Sequence, residues 1–307
     1  MYGNAMENTK NITEQRTSWT LFVVSSTKEN NDIPQQSNSN SKPSSSARNN
    51  TAHITTKKAT VPASQELSTM KPTAEQIEIS RACLALNNLG VTLMEKGHFR
   101  EASKVFKSAT CSLKPLVSRK PMAQNALETV RSEFSKASVR STEPRKEVPP
   151  MVEIMAIEEG DNAALERAEQ YGPTHSLVFP IRFRDLLSSE NLQSDMDFHA
   201  AVLLYNHGIA RLLLQRFDSR PAESKRLLTT AHHYLVVAEG IVARNIVRHD
   251  DGSDRYVWFF SLASLILANQ LIIYALQGRN DKAARVNESL GKLQRHHQQW
   301  RNNSLPV

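Results

Sequence analysis

Hydrophobic and polar positions follow two regimes along the chain. Between Ser25 and Ser68 the residues are mainly Ser, Asn, Thr and Gln, large apolar side chains are almost absent, and Pro34, Pro43 and Pro62 would break a helix. Such a stretch cannot bury enough apolar surface to offset the entropy of ordering it, so residues 1–72 are expected to form a disordered arm. Trp19 to Val24 is an apolar exception, read either as an inert patch or as a short docking motif that orders on binding. From Thr73 the pattern changes. Ile77, Ala82, Leu86, Leu89 and Leu93 recur at steps of mostly three and four, the spacing of one helical face. Thr73-Ala74-Glu75-Gln76 has the form of a capping box, which starts this helix, and Gly97 ends it. A second helix is predicted from Phe99 to Leu113, stopping at Pro115.

A further helix is predicted over Met122 to Ala137, followed by a linker from Glu143-Pro144 to Pro149-Pro150. Residues 151–185 read as an irregular insertion crossing the helical body. Met151 to Ile157 is a short strand or buried turn, Ala163 to Tyr171 a short helix, and Ser176 to Phe183 extended, because Pro180 disfavours helix before it. Helices are then predicted over Asp197–Phe217, Pro221–His249, Arg255–Leu276 and Asp281 to about Trp300, with a turn at Gly278. The organisation expected is an arm at 1–72, a helical domain at 73–300 and a tail at 301–307.

Composition adds limits. Hydrophobic residues are 39% of the chain and crowd into 199–290, which suits a packed helical body joined to a polar arm. The formal net charge is +7, but Lys and Arg are interspersed with Asp and Glu and no long basic run occurs, which disfavours nucleic acid. Two cysteines, Cys83 and Cys111, are too few for a disulfide scaffold and read as free thiols. No segment is expected to span a membrane, and the N-terminus lacks a basic region followed by an apolar stretch. The cytoplasm is the default location, with the nucleus as the alternative because of the basic pairs Lys57-Lys58 and Arg145-Lys146.

Leu89-Gly90, Gly97, Ala102, Phe106 and Ala109, with Pro115 behind them, resemble a tetratricopeptide repeat. Small residues at Gly90 and Ala102 let two helices approach, and Phe106 fills the gap between neighbouring hairpins. Leu204-Tyr205-Asn206-His207-Gly208 is similar to the first signature with His207 in place of leucine, and Ala231, Leu235 and Ala238 repeat the Ala, bulky, Ala spacing. A looser third copy has Tyr274, Gly278 and Ala283, with Leu271 where glycine is expected. The resemblance implies an all-α stack of antiparallel helix pairs whose first helices line a concave, ligand-binding face. The departures suit a compact, irregular array as well as a regular superhelix. In that family the place two residues before the glycine faces the groove; here it holds Asn88, Asn206 and Asn269. Asn87, Asn88, Tyr205, Asn206 and Asn269 are therefore the expected partner-binding residues, since an amide both donates to and accepts from a peptide backbone; the alternative is that the asparagines cap or bridge adjacent helices inside the array. Other groove-facing candidates, Leu84, Val91, Val202, Ile209, Leu265, Ala268 and Ile272, include no Lys or Arg, so a clamp for paired carboxylates is not expected.

Catalytic chemistry finds no constellation. His232-His233, His249 and His296-His297 lack Cys or carboxylate partners at ligand spacing, and adjacent helical residues point about 100° apart. His249-Asp250 has no companions for a phosphohydrolase site, Asp250 to Asp254 lacks the closing glutamate of a calcium loop, and no phosphate-cradling glycine loop occurs. The expectation is an adaptor or scaffold that binds a protein or peptide segment, with no enzyme activity, cofactor, catalytic residue or metal. A helical-repeat RNA-binding protein using the basic face around Lys96 to Lys146 is the alternative.

Overall fold

A computed structural model describes residues 73–117, 125–144, 153–158, 177–183, 192–217, 220–248 and 254–304, which are mostly helical. Helix α1 (Ala74–Glu95) starts at the expected capping box: Gln76 N–H donates to Thr73 Oγ1 at 3.2 Å, and Thr73 N–H to Gln76 Oε1 at 2.9 Å. It ends at Gly97, whose φ of 77° suits a residue without a Cβ. There Gly97 N–H donates to Met94 O and His98 N–H to Leu93 O, at 2.9 and 2.8 Å, closing the open carbonyls of the last turn. The same two-bond turn recurs at Gly278 (φ 69°), with Gly278 N–H on Ala275 O and Arg279 N–H on Tyr274 O.

Helix α2 (Phe99–Val117) runs past the expected stop and carries Pro115 in its last turn. A proline there removes one late hydrogen bond, which burial of Leu113 and Leu116 offsets. Helix α3 (Ala126–Ser141) packs on α1 and α2 through Val130 and Ala137, and starts and ends later than the apolar pattern suggests. Helices α4 (Leu192–Phe217), α5 (Pro221–Arg248), α6 (Asp254–Leu276) and α7 (Asn280–Ser304) follow, and α5, α6 and α7 each pack chiefly on their chain neighbours. Helix α7 continues beyond Trp300 into the expected tail.

Helix α4 lies at the centre. It packs on α2 and α5 with smaller contacts to α1 and α6, and every residue from Phe198 to Ala210 is buried. Two close approaches shape this core. A Cβ on Gly90 would stand 2.7 Å from two ring carbons of Phe106, and one on Gly208 would stand 3.0 Å from Leu235 Cδ2. Within α6, Val257–Leu276 is long and apolar enough to cross a membrane, contrary to the sequence expectation that no segment is. In the fold 67% of its most apolar window is buried, so its composition also suits a core helix.

The extended pieces of 151–185 form strands, a departure from an all-α chain. Strands β1 (Glu153–Ile154) and β2 (Ile157–Glu158) pair in parallel with β3 (Leu177–Val178) and β4 (Ile181–Arg182). Glu153 opposes Leu177 and Ile157 opposes Ile181, so both pairs share one register. The ladder breaks around Pro180, which has no N–H to donate, although Ile157 N–H still donates to Pro180 O at 3.0 Å. The short helix expected at 163–171, the arm at 1–72 with its Trp19–Val24 patch, and His249-Asp250 lie outside the described residues.

Candidate binding groove

Strands β3 and β4 lie across the asparagines of α1 and α4. An extended backbone presents the N–H and C=O of alternate residues to the same edge. Here Phe179 O and both backbone groups of Ile181 and Phe183 meet helix side chains, while Val178 O and Pro180 O accept from Met155 and Ile157 on the opposite edge, both at 3.0 Å. Asn88 meets Phe183 twice: its Nδ2 donates to Phe183 O at 2.8 Å and its Oδ1 accepts from Phe183 N–H at 2.9 Å. Asn206 does the same at Ile181, donating to its O at 2.8 Å and accepting from its N–H at 3.0 Å. Asn87 Nδ2 adds a second donor to Ile181 O at 2.9 Å, and Asn206 Nδ2 reaches Asn87 Oδ1 at 2.9 Å. A row of helix side chains thus takes the place of a neighbouring strand.

Tyr205 Oη donates to Phe179 O at 3.1 Å. Burial pushes its hydroxyl well above the ordinary tyrosine range, opposed in part by the Asn269 hydrogen bond, so it stays a proton donor. Asn269 does not reach the strand; its Nδ2 contacts Tyr205 Oη at 3.5 Å and donates to Leu265 O at 2.8 Å, which makes it a support for Tyr205. At the outer end Arg182 pairs with Glu95, both partly exposed, and Phe183 stands edge-on to His199 at 4.9 Å.

The five sequence-derived residues therefore gather around one place, and the segment lying there is the chain's own residues 177–183. Asn87, Tyr205 and Asn206 are fully buried beneath it, and Asn88 is half-buried at the rim. Leu84, Val91, Val202, Ile209 and Leu265 are core side chains, and Ala268 and Ile272 are half-buried. Sequence reasoning saw residues 176–183 as extended but did not join them to the asparagines. The usable signal was Val178, Phe179, Ile181 and Phe183, four large apolar residues flanking a proline, which require a surface to cover them.

Among the described residues no group of three or more His, Cys, Asp and Glu could hold a metal ion. His207, expected in place of a family leucine, is fully buried, stacks on Tyr234 at 4.0 Å and has Nε2 3.3 Å from Ser103 Oγ. Burial first, then the charges of Arg211 and Lys107, lower its pKa from 6.5 to about 3. Burial and the Lys282 and Arg279 charges lower His232 to about 4. Both folded values lie below the unfolded one, so their stability contribution is present above pH 6.5 and is lost as pH falls through the window down to about 3–4. Melting temperature is expected to drop on acidification from pH 7 to about 4, and His207→Gln to flatten that slope. An unchanged slope in the variant would mean that His207 does not stay neutral in the fold. No protein family, curated protein or solved structure matches the chain.

Proposed function

We propose that this chain is a tetratricopeptide-like adaptor that binds another protein by holding an extended segment on the asparagine row of α1 and α4, and that in its resting form it holds its own residues 177–183. The observation that carries the reading is that Asn88 and Asn206 each satisfy both backbone groups of one residue, two positions apart on a strand. Backbone-directed amides bind extended segments of varied sequence, and neighbouring side chains set preference. Glu95 favours a basic residue between two apolar ones, as Arg182 stands between Ile181 and Phe183. The reading involves no catalytic residue, cofactor or metal.

A tethered segment competes at high effective concentration, so a free peptide of residues 177–184 should bind the native chain weakly. Arg182→Glu sets two carboxylates against each other at a partly exposed place and weakens the tethered copy without opening a cavity. The free peptide, which keeps its arginine, is expected to bind this variant about tenfold more tightly by calorimetry or fluorescence anisotropy. Adding Glu95→Arg should return affinity toward the native level. Binding to Arg182→Glu no tighter than to the native chain, or binding indifferent to Asn88→Ala, would argue against the groove as the site.

A further inference from the structure

Away from the asparagine row, a cavity of about 420 Å³ opens between α2, α4 and α5. Helix interfaces normally close to near-crystalline density, and an opening of this size falls in the range of small-molecule sites. Its wall is aliphatic and aromatic, with Leu113, Leu203, Leu204, Ile241 and Tyr234 prominent. Val237 also lines it and is 38% exposed, unusual for a large apolar side chain among the described residues. The polar part of the lining has one sign. Lys107 and Lys114 stand seven residues apart on α2, hence on one face and about 10 Å apart along the axis, and no Asp or Glu lines the cavity. Neither lysine pairs with a carboxylate among the described residues.

We infer that this cavity binds a single-chain anionic amphiphile, with its hydrocarbon among Leu113, Leu203, Leu204 and Ile241 and its carboxylate at Lys107 or Lys114. Desolvated apolar walls select the chain, and the unopposed ammonium groups select the head. A volume of about 420 Å³ lies within the range of small-molecule sites, which favours a small molecule over a protein partner. The inference does not depend on the peptide groove, since it rests on a different cavity and on none of the asparagines.

Cys111 supplies the reporter. It lines the cavity and is exposed, whereas Cys83 is buried. The full chain would be alkylated with N-ethylmaleimide in the presence of decanoate, decanol or decyltrimethylammonium, each below its micelle concentration, and the rate compared with and without ligand. Decanoate is expected to protect Cys111 saturably, decanol more weakly, and the cationic analogue not at all. Val237→Trp, which fills the rim from an exposed position, should abolish protection. Joint exchange of the exposed Lys107 and Lys114 for alanine should weaken decanoate about tenfold and leave decanol unchanged. The lysine variants keep the test valid if the tryptophan disturbs folding. No protection by decanoate, equal protection by the cationic amphiphile, or a decanoate effect indifferent to the lysines would overturn the assignment.

Discussion

Asn206→Ala is expected to destabilise the folded chain by about 3 kcal/mol, close to a 10 °C fall in melting temperature for a domain of this size. Asn206 is fully buried, and its amide serves Ile181 N–H, Ile181 O and Asn87 Oδ1. Alanine leaves the Ile181 N–H and the Asn87 oxygen without these partners; Ile181 O keeps Asn87 Nδ2. An unsatisfied buried polar group costs about 1–3 kcal/mol, so two of them dominate the small loss of side-chain volume. Asn206→Asp separates the two effects. It keeps the volume but sets a carboxylate oxygen against two acceptors, and is expected to melt at least as low as the alanine variant. Asn88→Ala at the half-buried rim should cost about 1 kcal/mol, because water can replace its bonds to Phe183. Read from the sequence alone, Asn88 and Asn206 are equivalent, either both reading a partner, so that their exchange would spare stability, or both bridging helices; the burial of Asn206 separates them. An Asn206→Ala variant melting within about 2 °C of the native chain would contradict the hydrogen-bonded arrangement.

The second large effect is at Gly90. A Cβ there would lie 2.7 Å from Phe106 Cε1 and Cζ, and Phe106 is fully buried, so the ring has no free space to enter. Alanine raises intrinsic helix propensity by about 1 kcal/mol, yet overpacking costs about 1–3 kcal/mol or more. Gly90→Ala is therefore expected to lose stability by about 2 kcal/mol net in denaturant titration. Phe106→Leu should be destabilising alone but should partly rescue Gly90→Ala, giving a coupling of opposite sign to simple addition. Gly240 supplies the contrast. A Cβ there would meet only Arg244 Nη1, at 3.9 Å, and Gly240→Ala is expected to stabilise by up to about 1 kcal/mol. Equal responses at Gly90 and Gly240 would rule out the close helix approach at Phe106.

These two sites mark what was readable in advance. Gly90, Ala102 and Phe106 carry their meaning in local spacing, as do the capping box at Thr73 and Gln76 and the turn glycines at positions 97 and 278. Helices with a local start or stop signal lie within a few residues of their predicted bounds. Pro115 misleads because a proline near a helix end removes little. The groove residues were legible individually, since amides at one helical face suggest backbone binding. Their occupant was not. Asn88 and Phe183 are 95 positions apart, and nothing in local pattern links them. In helix α4 the polar Asn206 and His207 find buried partners on α1 and α2 and in the strand, which only tertiary packing reveals.

The central claim is that the asparagine row binds the backbone of an extended segment supplied by another molecule. The most direct test uses an isotope-labelled peptide of residues 177–184 with the Arg182→Glu chain and follows it by nuclear magnetic resonance. The claim predicts slow hydrogen exchange at the peptide amides corresponding to Ile181 and Phe183, with magnetisation transfer to the side-chain NH2 groups of Asn206 and Asn88 respectively. Fast exchange at both amides, or a bound peptide that leaves those two side-chain signals unmoved, would contradict it.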